Sequence, residues 1–76
     1  MEGLSTRQKE ILNFVVRYIE KRGYAPSIRD IAKGCCISSS SLARYHLKVL
    51  EEHNYIHRDP NVSRSIVLRR DGLYKG

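Results

Sequence analysis

A chain of 76 residues buries only about 60% of the surface its unfolded form exposes, so it holds one small core and a two-domain organisation is excluded. Fourteen Lys and Arg against eight Asp and Glu give a formal charge of +6, which favours a polyanionic partner and puts nucleic acid first. No apolar run approaches the roughly 20 residues that span a bilayer, and the polar start Met1, Glu2, Gly3 is unlike a signal peptide, so a cytosolic protein without membrane attachment is expected.

The first element reads as a helix over about residues 6–22. Ser5 with Gln8 three residues later forms a capping box, in which each side chain satisfies a free backbone donor of the first turn. Ile11, Leu12, Val15, Tyr18 and Ile19 recur at the spacing of one buried stripe, and Gly23 is placed as the C-terminal cap. Phe14 and Val16 fall off that stripe and imply a second, smaller contact face. Tyr24, Ala25 and Pro26 form a connector, because the residue before a proline avoids helical geometry.

Ser27 and Asp30 repeat the capping pattern, and Ile28, Ile31 and Ala32 give a short helix of about residues 28–35 its apolar face. Gly34, Cys35 and Cys36 end it. A positive φ at Cys36 would suit glycine better, so local strain or a slightly different turn is expected here. Adjacent side chains diverge by about 100° on a helix, which disfavours a disulfide between the two cysteines; both read as reduced packing residues.

The third helix, about residues 39–53, is capped by Ser39, or by Ser38 one residue earlier. Leu42, Ala43, Leu47 and Leu50 supply apolar contacts, with His46 and Val49 beside them, while Ser41, Arg44, Tyr45 and Lys48 share another face. After Asn54 the pattern turns extended. Tyr55 to Arg58 lead into Asp59, Pro60 and Asn61, and Ser65 to Leu68 return as a second β-rich run, a hairpin over about residues 55–69. Arg58, Arg64, Arg69 and Arg70 face only Asp59 and Asp71 there, so the hairpin is basic. The fold class is mainly α with a small β-hairpin: a three-helix winged helix-turn-helix, whose third helix is the one that enters the major groove of DNA.

The order Leu4-Ser5-x-Arg7-Gln8, then Gly23-Tyr24-x-Pro26-Ser27-x-Arg29-Asp30-Ile31, then Ser39-Ser40-Ser41 with His46-Leu47 and Leu50, then Arg58-Asp59-Pro60 and Ser63-Arg64-x-Ile66, resembles the amino-terminal winged-helix domain of LexA repressors. The likeness covers nearly the entire chain. The serine run and Arg58-Asp59-Pro60 are most similar to the Gram-positive type. The resemblance implies base-edge contacts from Ser39, Ser41, Leu42, Arg44 and Tyr45, and phosphate contacts from Arg7, Ser27, Arg29, Ser40, Lys48, Ser63 and Arg64. It also implies double-stranded, palindromic operator DNA as the partner, and control of DNA-damage (SOS) response genes at the bacterial nucleoid.

Full-length family members add a carboxy-terminal domain that dimerises and cleaves the chain with a serine and lysine pair. This chain is expected to stop before that domain, to be monomeric alone and not to be an enzyme. Arg44 and Tyr45 depart from the residues usual in the family, so no operator sequence carries over.

The residues themselves leave two roles open for Arg44, guanine recognition through O6 and N7 or a solvated phosphate contact. Tyr45 equally suits a thymine methyl, a phosphate or the helix surface. His46, His53, His57, Cys35 and Cys36 are ligand types without a CxxC pair or a spacing that closes a zinc site, so neither metal nor cofactor is expected. His46 reads as packed or hydrogen-bonded rather than catalytic. The four serines read as a cap, because no base or oxyanion site is placed beside them. The alternative function is a winged-helix protein-interaction module, since fold alone does not fix function.

Overall fold

The computed structural model describes residues 3–59, 61–62 and 64–69. Pro60, Ser63, Arg70 and Asp71, which the sequence reading uses in the wing, lie outside the described residues. Helix α1 runs Thr6–Arg22, α2 Ile28–Gly34 and α3 Ser40–Glu52; strands β1, Ile56–His57, and β2, Val67–Leu68, pair antiparallel with Ile56 opposite Leu68 and His57 opposite Val67.

Both expected capping boxes form. The Gln8 N–H donates to Ser5 Oγ at 3.2 Å and the Ser5 N–H to Gln8 Oε1 at 3.0 Å. At the start of α2 the Asp30 N–H donates to Ser27 Oγ and the Ser27 N–H to Asp30 Oδ2, each at 3.1 Å. Gly23 closes α1 in the left-handed region at φ 78°. For α3 the cap is Ser39 rather than Ser38, its Oγ accepting from the N–H groups of Ser41 and Leu42 at 3.2 and 3.4 Å.

The turn that follows α2 is a Schellman motif. The Ile37 N–H reaches back to the Ala32 carbonyl at 2.8 Å and the Cys36 N–H to that of Lys33 at 3.5 Å, which puts Cys36 in the left-handed position at φ 57°. The helix therefore ends one residue before the expected boundary, and of the two expected outcomes for this turn it is the left-handed, strained one that Cys36 adopts. Asn54 holds the same position after α3 at φ 65°, with Tyr55 bonded to Leu50 and Asn54 to Glu51 at 3.0 Å each. Asparagine tolerates this region better than most residues; cysteine has no such advantage. Cys36→Gly is expected to remove about 1–2 kcal/mol of left-handed strain, less about 0.4–1 kcal/mol for the added freedom of the unfolded chain, leaving a net stabilisation near 1 kcal/mol readable from urea midpoints.

Ile11, Leu12 and Val15 of α1, Ile31 of α2, Ala43, Leu47 and Leu50 of α3, and Ile56 of β1 are fully buried in one core. Phe14 packs at the core margin, as its off-stripe position predicts, and its ring lies where a Cβ on Gly34 would be. Glycine at the end of α2 thus lets α1 and α2 approach. Two expectations fail. Leu42, read as an apolar contact, is 45% exposed, and Cys36, read as packing, is exposed because the left-handed turn directs it outward. Cys35 is half-buried against the core, and both thiols are free.

The wing is mostly side-chain work. Each strand is only two residues long, shorter than the expected β-rich run, and Asp59 and Ser65 bridge the loop instead: the Asp59 N–H donates to Ser65 Oγ at 3.0 Å and the Ser65 hydroxyl to the Asp59 carbonyl at 2.9 Å. Asp59 Oδ1 accepts from the Asn61 N–H at 2.9 Å, an Asx turn. Among the described residues no helix is long and apolar enough to cross a membrane.

Candidate nucleic-acid interface

Helix α3 carries two complementary stripes. Ala43, His46, Leu47 and Leu50 face the core, and Ser41, Arg44, Tyr45 and Lys48, at the i, i+3, i+4, i+7 spacing, face solvent with Leu42 beside them. Tyr45 is 57% exposed, so its ring does not merely cover the helix. The expected reading face is therefore assembled on one side of one helix, with Ser41 and Leu42 in the positively polarised first turn and Arg44, Tyr45 and Lys48 following it.

A cleft of about 560 Å³ separates this helix and the start of α2 from the wing, and Ser27, Arg29, Ser40, Arg44, Arg58 and Arg64 line it. A second hollow of about 510 Å³, on the far side of Arg44, is lined by Ser41, Tyr45, Lys48, Glu51 and Arg58. Five of the expected residues thus share the cleft, and three more the second hollow. Ser39 lines neither; it holds the first turn of α3. Arg7 lies apart from both, its Nη1 donating to the Cys35 carbonyl at 2.7 Å and pairing with Glu10 at 3.3 Å, so it braces the turn between α2 and α3.

Arg64 is more committed than the sequence implies. It sits at φ 56°, and its Nη1 reaches Asp30 Oδ2 at 3.0 Å, the Ala25 carbonyl at 3.1 Å and the Tyr18 hydroxyl at 3.2 Å, with the guanidinium 5.2 Å from the Tyr24 ring centre. Asp30 Oδ2 thereby takes donors from α1, from its own cap and from the wing. The Ser27 N–H, with the Tyr18 hydroxyl and the Arg64 charge, holds the Asp30 carboxyl below the usual carboxylate range against the opposing effect of burial. One carboxylate docks the wing on the helices.

A second chain of bonds aligns α3 on α1. Gln8 Oε1 is occupied by the Ser5 N–H, so its amide nitrogen faces His46 Nδ1 at 3.1 Å as a donor and requires that nitrogen to accept. A neutral imidazole does so; imidazolium would set donor against donor. Burial, and then the Arg7 charge, push the His46 pKa down from 6.5. The folded state consequently binds fewer protons than the unfolded one between the depressed value and about 6.5, so stability falls as pH drops through that window and is full above it. His46→Gln is expected to flatten this acid-side loss, which urea midpoints at pH 5 and pH 7 measure; an unchanged difference would exclude His46 as its source.

Arg58, which the sequence offered only as a charge of the hairpin, lines both hollows. Residues alternate in a strand, and with Ile56 buried and His57 exposed, residue 58 returns toward the helices. That period-two signal could have found it.

An exposed basic helix face, a tight turn before it and a basic wing beside it together define a winged helix-turn-helix of the nucleic-acid-binding class. A model of the LexA DNA binding domain family matches residues 1–65, and the chain belongs to that family. It is 46% identical over 68 residues to a LexA repressor of Herpetosiphon aurantiacus, covering 90% of this chain and 32% of that protein. It is 44% identical over 66 residues to one of Thermobifida fusca, covering 87% and 26%, and 42% identical over 71 residues to one of Bacillus mycoides, covering 93% and 35%. The chain thus spans about a third of the length of these relatives or less.

Proposed function

We propose that this chain is the operator-reading part of a transcriptional repressor of DNA-damage response genes, acting on the nucleoid in the bacterial cytoplasm. The observation that carries the reading is the solvent-facing stripe of α3 beside a cleft lined by four arginines. Helix α3 enters the major groove, where Ser39, Ser41, Leu42, Arg44 and Tyr45 reach base edges. Arg7, Ser27, Arg29, Ser40, Lys48, Ser63 and Arg64 approach phosphates, which fix register and supply salt-dependent affinity.

Selection of bound sequences from random duplex DNA, followed by affinity measured against salt concentration, tests this. A recovered palindromic motif and a steep log-log salt slope are expected; no enrichment and a salt-insensitive protein partner would support an interaction module instead. Symmetry comes from a dimerising region outside this chain, so the chain alone is monomeric and binds one half-site weakly. Sedimentation and titration of single and paired half-sites, before and after fusion to a dimerising segment, read that out, because tethering raises the second site's effective concentration to about millimolar.

Arg64→Ala is expected to weaken binding to every duplex and to reduce the magnitude of the salt slope by about 1. Weakened affinity with an unchanged slope would leave Arg64 only its wing-holding bonds to Asp30, Tyr18 and Ala25.

A further inference from the structure

We infer that Arg58 is a phosphate clamp at the root of the wing, gripping the backbone ridge that runs between the groove read by α3 and the groove beside the wing. This rests on the DNA-binding reading above and deepens it. Arg58 follows β1 directly and, with Arg44, is shared by the cleft between α3 and the wing and the hollow beyond Arg44. A helix seated in a major groove and a wing reaching the next groove must have the intervening sugar-phosphate ridge between them. Arg58 stands at that divide.

The arginines differ in what already holds them. Arg64 is bonded to a carboxylate, a hydroxyl and a carbonyl, and Arg7 to a carboxylate and a carbonyl. Arg58 has no carboxylate within ion-pair distance among the described residues, and its Nε is buried without an acceptor. Its head is therefore not committed to the scaffold, and with Nε buried the donors left for a ligand are Nη1 and Nη2. Two parallel donors on a planar head match two phosphate oxygens, a geometry lysine cannot reproduce. Base recognition is the less suited role, because Arg58 is half-buried at the end of β1 rather than on the outward stripe of α3.

The test uses Arg58→Met, which keeps the aliphatic stem, and Arg58→Lys, which keeps the charge, in the full 76-residue chain. Thermal melts are recorded for each, and affinity is titrated against salt on one selected duplex and one random duplex. Arg58→Met is expected to bind both duplexes about tenfold more weakly or worse, with the salt slope reduced by about 1 and the preference between them unchanged. Arg58→Lys is expected to keep the parental slope but recover only part of the affinity.

An unchanged slope in folded Arg58→Met, or a loss confined to the selected duplex, overturns the clamp. Should Arg58→Met fail to fold, Arg58→Lys decides: parental affinity overturns the fork, and reduced affinity at parental slope supports it. A parent chain that binds neither duplex in a salt-dependent way overturns the DNA-binding reading itself, and the clamp with it.

Discussion

Leu47→Ala is expected to destabilise the domain by about 2–5 kcal/mol, the range for removing a large buried aliphatic group from a core that cannot fully collapse around the space. Leu47 is fully buried at the middle of α3, in the core shared with Ile11, Leu12 and Val15 of α1, Ile31 of α2 and Ile56 of the wing. The change therefore loosens every element at once. At roughly 0.05–0.15 kcal/mol per residue, a chain of this length has about 4–11 kcal/mol of stability, so a large share is at stake. A small domain shifts its melting temperature by about 4–8 °C per kcal/mol, so the fall should exceed about 8 °C by calorimetry. Lys48→Ala, one residue on but facing solvent, should stay within about 0.5 kcal/mol of the parent. Equal melting of Leu47→Ala and the parent would mean that α3 presents a different face to the core.

What could be read from the sequence is what is decided locally. The caps at Ser5 and Ser27 are contests between residues three apart, and the left-handed turn at Cys36 follows from helix geometry at its end. The alternation of Leu47 and Lys48 is set by the helix period alone. Leu42 misled because hydropathy and periodicity describe a helix by itself, whereas burial depends on which neighbour covers each position; among the described residues nothing packs over Leu42 closely enough to bury it. The wing was harder still. Its loop is held by Asp59 and Ser65 rather than by a strand ladder, so β-propensity overstated the strands. Arg64 reaches Ala25 and Tyr18 across 39 and 46 residues of sequence. Contacts of that range leave no trace in local spacing.

Arg44→Ala is expected to relax preference at one base pair per half-site, at a cost of roughly 1–3 kcal/mol of discrimination, or about 5- to 150-fold. Arg44 sits on the second exposed turn of α3, flanked by Ser41, Tyr45 and Lys48, and no carboxylate among the described residues pairs with it. Its guanidinium is thus available to a ligand, and its length carries the head beyond the helix surface toward base edges. A guanine presents O6 and N7 side by side, spaced for two parallel guanidinium donors; the other three bases present no such pair of acceptors. Substitution should accordingly flatten the affinity differences among duplexes that vary at a single position and leave the other positions as they were. Arg44→Lys should lose most of that preference too, because one ammonium cannot satisfy both acceptors in a fixed plane. Titration of the parent and both variants against the selected half-site, permuted one base pair at a time, reads this directly. Uniform weakening across all permutations, with a salt slope lowered by about 1, would assign Arg44 to a phosphate and leave base recognition to Ser39, Ser41, Leu42 and Tyr45.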